Sequence, residues 1–237
     1  MSAIYERAGD VVRRIYDRRI HAPAILDPAL HFPNAQLYVD RWQDLRREAL
    51  ELARGLDQVP RFHELMAAQA DISANDGRAW QMHVCKAYGV EVPVNLRRCP
   101  VLADLLARTP EVLSACLSFV APGKHIPRHR GPFRGILRFH LGLVVPLAPD
   151  GRPGTVLDVD GIAHRIGEGD TMLWDDTYPH ELWNTTDRVR VALLLDVRRP
   201  GMPWDMQILS RVLTAAAGSL VWLQRARTFQ AGSPRTR

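Results

Sequence analysis

The chain has 237 residues, a formal charge of +5 and a sequence pI of about 9.5, with 46% hydrophobic and 24% charged residues. These are the proportions of a globular protein able to bury a core of its own, and they exclude a fibrous, low-complexity or disordered chain. Lysine occurs only at 86 and 124, so arginine carries nearly all the positive charge, a bias that suits a GC-rich bacterial genome and permits an anionic partner without naming one.

From the N-terminus, "MSAIYERAGDVVRRIYDRRI" carries charges throughout and lacks the apolar h-region of a signal peptide. After a proline-containing connector (21–33), "RWQDLRREALELARGLDQV" places Trp42, Leu45, Ala49, Leu52 and Leu56 at alternating steps of three and four. That spacing predicts a helix closed by Pro60. From Trp80 the pattern changes. "WQMHVCKAYG" reads as a strand and "CPVLADLLARTP" as a short helix between prolines. Then "LSACLSFVAPG", "GILRFHLGLVVP", "TVLDVDG", "AHRIGEGDTMLWDD", "HELWNTT" and "RVRVALLLDV" are short apolar or alternating runs separated by turns. Many short strands at near-regular spacing predict a mainly β fold, a sandwich, jelly roll or barrel. A final helix after Pro203 would set Leu209, Val212, Ala216, Leu220 and Leu223 on one face docked on the β core, before a disordered "GSPRTR" tail. The division is a helical support region (1–79), a β core (80–200), and a C-terminal helix and tail (201–237), together one structural domain.

Cys85, Cys99 and Cys116 are odd in number and show no CxxC spacing, which predicts neither a disulfide framework nor a zinc site and points to a reducing, cytoplasmic compartment. The longest near-apolar run, "VLTAAAGSLVWL" (212–223), is shorter than the ~20 residues of a bilayer span. No transmembrane segment is expected; a peripheral membrane contact through the C-terminal helix stays open. Nothing interleaves basic and aromatic residues as a nucleic-acid surface would.

Period-two alternation sorts the strands into faces. Across 136–144, Leu137, Phe139, Leu141 and Leu143 share one face; Ile136, Arg138, His140, Gly142 and Val144 share the other. Arg190, Ala192 and Leu194 align likewise, as do Cys116, Ser118 and Val120. "NTTD" would turn a hairpin between His180 and Arg190. An arginine inside an apolar sandwich implies an anion beside it, from the protein or from a ligand. Two distant histidines at strand edges, with an inward arginine after the second, suit non-haem iron, which keeps few protein ligands and open positions.

The run "HRGPFRGILRFHLGLVVP", followed about fifty residues on by "WDDTYPHELWNTTDRVRVALLLDVRRP", resembles the aspartyl/asparaginyl β-hydroxylase family. The resemblance implies a double-stranded β-helix (jelly roll) with helices at both ends. It also implies an Fe(II)- and 2-oxoglutarate-dependent dioxygenase that uses O₂ and releases succinate and CO₂. Carried onto this chain, it makes His129 and His180 the iron ligands. Arg190, helped by Ser118, would bind the distal carboxylate of 2-oxoglutarate, and His140 the carboxylate beside the keto group. Arg138 would face the substrate, with Arg134 compensating for Ile136, which stands where peptide hydroxylases of the family have a second arginine. Gly131 stands where the usual triad has an acid, matching the two-histidine branch.

The implied substrate is a small molecule or peptide, anionic and of aspartyl/asparaginyl type. Hydroxylation of a lipid acyl chain is an alternative that the motifs fit about as well. A non-catalytic jelly-roll module binding an anionic ligand is the other. Asp175 and Asp176 are expected to orient the loop before His180, and His125, Arg128, Arg130 and Arg134 to ring the pocket mouth. His21, His31, His63, His83 and His164 receive no role.

Overall fold

The computed structural model describes residues 3–228. Its N-terminal part holds α1 (Ala3–Asp17), α2 (Pro28–His31), α3 (Ala35–Val39), α4 (Trp42–Ala53), α5 (Phe62–Leu65) and α6 (Ala70–Ser73). In α4 the expected stripe buries Leu45, Ala49 and Leu52, but the helix stops at Ala53 and Leu56 falls in a 3₁₀ turn. The connector also does more than link helices. Ile25–Leu26 forms β1, which pairs antiparallel with β9 (Thr171–Trp174).

The β core comprises β2 (Trp80–Ala87), β3 (Val90–Glu91), β4 (Val112–Val120), β5 (His125–His129), β6 (Ile136–Val144), β7 (Thr155–Val159), β8 (Ile162–His164), β9, β10 (His180–Asn184) and β11 (Arg190–Arg198). Helices α7 (Pro93–Leu96) and α8 (Pro100–Arg108) interrupt it between β3 and β4. Pro100 opens α8, where a missing N–H costs nothing. The Glu48 carboxylate accepts from the Val101 (2.5 Å) and Leu102 (3.3 Å) N–H groups, tying α4 to α8.

All strand pairs are antiparallel and form two sheets, a large one ordered β1-β9-β6-β11-β4-β2-β3 and a small one ordered β5-β10-β7-β8. The mainly β jelly-roll architecture stands. One local expectation does not: β10 and β11 belong to different sheets, so the turn through Thr185–Thr186 is a crossing and not a hairpin. The buried Asn184 amide fixes it, donating to the carbonyls of Val120, Ala121 and Arg188 at 2.8–3.1 Å.

Alternation then divides the core. Leu117, Phe119, Leu137, Phe139, Leu141, Leu193 and Leu195 leave the outer face of the large sheet and pack against Leu45, Ala49, Leu52, Leu102 and Leu105 of α4 and α8. Each such side chain contributes about 1.5–3 kcal/mol by leaving water. Between the sheets, Trp80, Val120, Met172 and Trp174 meet Ile126, Leu157, Val159 and Leu182.

The last helix, α9 (Trp204–Thr228), docks on one face, but not the expected one. Met206 and Ser210 are buried, with Leu209 and Leu213 packed beside Tyr16, Phe133 and Ile136, and Gly218 lies against the Tyr88 carbonyl, where a Cβ would stand only 2.7 Å away. Val212, Leu220 and Leu223 are exposed. The helix is apolar on most sides, so periodicity alone could not select its docking face. Trp204–Leu223, at mean hydropathy 1.3, is by length and composition apolar enough to cross a bilayer, which the shorter run read from the sequence understated. The "GSPRTR" tail lies outside the described residues.

Candidate active site

Strand register sets the inward face of the large sheet in rows. The first row is Trp80–Val120–Arg190 and the second Met82–Ser118–Ala192–Gly142. The third is Val84–Cys116–Leu194–His140–Met172 and the fourth Ser114–Asp196–Arg138–Trp174. Ser118, His140, Arg138 and Arg190 are thus brought to one surface, as alternation predicted. The small sheet faces them with His129 and His180, direct partners across β5 and β10.

The two imidazoles are prepared alike. His129 Nδ1 lies 2.7 Å from the Pro127 carbonyl and His180 Nδ1 2.9 Å from that of Tyr178. A carbonyl only accepts, so Nδ1 carries the proton and Nε2 keeps its lone pair. The rings approach to 4.1 Å between centroids, and Trp174 packs edge-on against His180. Burial pushes His129 down to about 4 and His180 well below the ordinary histidine range, so both are neutral. Neutral imidazoles oriented by backbone carbonyls are metal ligands in waiting.

Asp176 completes this end. Gly131 Nα–H donates to the Asp176 carbonyl at 2.7 Å, and a Cβ at 131 would stand 2.6 Å from Asp176 Oδ2 and closer still to Oδ1. The Asp176 carboxylate therefore fills the space of a side chain at 131. Its Oδ2 lies 3.3 Å from Arg138, and Oδ1 is buried without a hydrogen-bond partner. Two bare Nε2 atoms from facing histidines, on a cavity that Asp176 also lines, fit a divalent iron that keeps few protein ligands.

Arg138 enters the pocket, but Asp196 (2.9 Å) and Asp176 already match its charge. Arg190 is different. It is 2% exposed, its Nε is unpartnered, no carboxylate pairs with it among the described residues, and its guanidinium donates directly to Nε2 of neutral His140. Burial lowers it to about 9, which leaves it cationic at neutral pH. Ser118 Oγ accepts from Trp80 Nε1 at 3.0 Å. An unmatched buried cation with a hydroxyl and an imidazole nearby fits a carboxylate ligand such as 2-oxoglutarate.

A cavity of about 180 Å³ joins the histidines, Gly131, Asp176 and Arg138 to Asp196, Ser114 and Lys86, and ends against Tyr88 and Val221 of α9. From β6 to β2 it crosses three inter-strand gaps, about 14 Å. Its walls are mostly apolar: Phe62, Leu65 and Met66 on one side, Met82, Val84 and Leu194 on the other.

Arg134 does not reach this cavity. It is buried against Asp175 (3.0 Å), Asp17 (3.2 Å) and the Ile20 carbonyl (3.1 Å), over the Tyr178 ring. It sits in the turn before β6, so strand alternation does not aim it inward. Asp175, which also accepts from Arg199, holds the loop before His180 as expected, whereas Asp176 belongs to the site itself. The expected basic rim is largely neutralised, since His125 meets Glu181 (3.1 Å) and Arg128 meets Glu181 and Asp158 (3.6 Å each). Sequence reasoning missed Asp196, Lys86 and the pocket-facing row of β2. Alternation of Trp80, Met82, Val84 and Lys86 was the available signal.

The aspartyl/asparaginyl beta-hydroxylase family model matches residues 39–200. The chain belongs to that family. Among relatives of this chain, an ornithine lipid ester-linked acyl 2-hydroxylase from Rhizobium tropici is 33% identical over 178 residues, 75% of this chain and 61% of that protein. The human aspartyl/asparaginyl beta-hydroxylase is 31% identical over 107 residues, 43% of this chain and 13% of that one. The chain thus spans less than two thirds of the length of either. A Pseudomonas putida prolyl-4-hydroxylase structure covers 69% of this chain and 88% of its own, at 17% identity and a TM-score of 0.41.

Proposed function

We propose that this hydroxylase is an Fe(II)/2-oxoglutarate dioxygenase acting on the acyl chain of a membrane lipid. The observation that carries the cofactor assignment is the facing pair His129 and His180, each holding its Nδ1 proton on a carbonyl and leaving Nε2 free on a cavity that both line. Those residues would hold iron. Arg190, Ser118 and His140 would hold 2-oxoglutarate. Iron with 2-oxoglutarate, when bound, supplies the oxidising power of O₂ for C–H hydroxylation, with succinate and CO₂ as coproducts. The chain's own part is positioning: apolar walls align a linear substrate and exclude water, and the neutral histidines offer lone pairs without competing protons.

The apolar cavity favours an acyl chain over an acidic side chain, because of the two arginines that line it Arg138 is already matched by two aspartates and Arg130 donates its Nε to the Thr177 carbonyl. Lys86 lies almost buried at the end of the cavity near α9, depressed by burial, and would suit an anionic headgroup. Among the described residues, eight of the twelve exposed large hydrophobics lie on α1 and α9: Val11, Ile15, Trp204, Ile208, Val212, Leu220, Trp222 and Leu223. Exposed apolar side chains on these two helices would suit a lipid interface, with the protein on the cytoplasmic face of a membrane. The relative named for ornithine lipid supports the same class.

The test offers the purified chain, with Fe(II) and 2-oxoglutarate, either ornithine lipid in mixed vesicles or a peptide bearing aspartyl and asparaginyl residues. Succinate release and the gain of one oxygen on an acyl chain are expected, both abolished by His180→Ala. Turnover of the peptide with none of the lipid would overturn the substrate assignment. Lipid hydroxylation by His180→Ala at the wild-type rate would overturn the iron site.

A further inference from the structure

β2 carries a second set of donors on its other face. Trp80, Met82 and Val84 line the cavity, so His83 and Cys85 turn the opposite way, into the interior. Cys99 joins them from the residue before Pro100, at the start of α8. A ring nitrogen of His83 and the Sγ atoms of Cys85 and Cys99 all lie within 4.8 Å of one another, and all three residues are 0% exposed. Neither cysteine is in a disulfide.

The imidazole is oriented as well as buried. His83 Nε2 lies 3.2 Å from the Asn95 carbonyl, while Nδ1 is buried without a hydrogen-bond partner. The carbonyl keeps the proton on Nε2 and leaves a bare lone pair on Nδ1. Asn95 is itself fixed, since its side-chain amide donates to the Val84 carbonyl at 2.7 Å. A carbonyl-oriented imidazole beside two free thiols is the donor arrangement of a soft-metal site. The odd cysteine count and absent CxxC spacing had argued against metal. The donors come instead from a single strand and a helix start, with Cys99 fourteen residues after Cys85, a separation that no short motif encodes.

We infer that His83, Cys85 and Cys99 form a buried site for a thiophilic d¹⁰ cation, Cu(I) or Zn(II), separate from the histidine pair of the active site. Cu(I) is the better match. Structural zinc takes four ligands, and Glu48 of α4, the carboxylate that reaches the start of α8, is engaged by the Val101 and Leu102 N–H groups. Binding displaces the two thiol protons to solvent and leaves thiolates on the cation. The bound ion would cross-link β2, a wall of the substrate cavity, to the α7–α8 connection.

The test uses the full chain, reduced, anaerobic and stripped of metal. Cu(I) is titrated in competition with bicinchoninate, and Co(II) is titrated separately as a spectroscopic stand-in for Zn(II). The site predicts uptake of one equivalent of Cu(I), or near-ultraviolet sulfur-to-Co(II) charge-transfer absorption, or both. Either signal should be lost in Cys85→Ser and in Cys99→Ser, and kept in Cys116→Ser and in His129→Ala/His180→Ala. Should the serine variants fail to fold, the wild-type chain decides: the cation should protect Cys85 and Cys99, but not Cys116, from alkylation during partial unfolding. No uptake by the wild-type chain, or uptake that survives either serine substitution or leaves both thiols unprotected, would overturn the site.

Discussion

Replacing Gly131 by alanine adds one methyl group, and its consequence follows from a single distance. The new Cβ would stand 2.6 Å from Asp176 Oδ2 and closer to Oδ1, where a carbon and an oxygen need roughly 3.3 Å. Asp176 cannot retreat freely, being buried in the loop between β9 and β10, with its own carbonyl bonded to Gly131 and its carboxylate against Arg138. Overpacking of this kind costs about 1–3 kcal/mol, a fall in melting temperature of about 2–12 °C for a chain of this size. Gly131→Asp should cost at least as much. The double variant Gly131→Asp/Asp176→Gly returns the carboxylate to roughly the same place from the other strand, and should recover much of the stability and Fe(II) affinity. Calorimetry and anaerobic Fe(II) titration of the three variants would check this. A Gly131→Ala protein with wild-type melting and iron affinity, or a double variant no better than Gly131→Asp, would refute the idea that Asp176 owns the space at 131.

The two inward arginines should respond with opposite signs. Arg190→Met removes a buried cation with no acid partner among the described residues, so without 2-oxoglutarate the protein should be unchanged or more stable by about 1–4 kcal/mol, while the KM for 2-oxoglutarate rises steeply. Arg138→Met strands Asp176 and Asp196 and should cost about 3–5 kcal/mol; equal effects in denaturant melts would contradict the pairing described. Glu48 is raised to about 7 by burial, against an unperturbed 4.5. The folded state therefore holds its proton more tightly, and stability falls as pH rises from 4.5 to 7, by about 2–3 kcal/mol. Glu48→Gln should flatten that part of the pH–stability profile, and superimposable profiles would refute it. Leu220→Asp/Leu223→Asp, both on the exposed face of α9, should leave the melting temperature within about 2 °C and abolish co-sedimentation with anionic vesicles; undiminished binding would remove α9 from the membrane contact.

Much of the fold was legible because alternation is a local property. The inward setting of Ser118, Arg138, His140 and Arg190 follows from strand period alone. The failures have a common cause in long-range contact. Arg134 looked like a substrate residue because it stands four residues before Arg138, yet its partners, Asp17, Ile20 and Asp175, are remote in sequence. Asp176 looked like loop furniture because its role depends on a glycine forty-five residues earlier. The outward face of α9 was misjudged because a helix apolar on most sides carries no periodic signal. The His83, Cys85 and Cys99 cluster was invisible for the same reason as Asp176: its geometry exists only after β2 and α8 have met.

The segment before α2 has a consequence for how this protein can be cut. The Ala24 carbonyl accepts from Asp175 Nα–H (2.9 Å), the Ala22 carbonyl from the Tyr178 hydroxyl (2.6 Å) and the Ile20 carbonyl from Arg134 (3.1 Å), and β1 edges the large sheet beside β9. The first two bonds brace the stretch that delivers Asp176 and His180 directly, and the third does so through Arg134, which pairs with Asp175. A truncation beginning at residue 39, where the family-model match begins, would keep the iron-ligand candidates and discard their bracing. The stretch that the family model matches is therefore shorter than the stretch that must fold together for those side chains to be held in place.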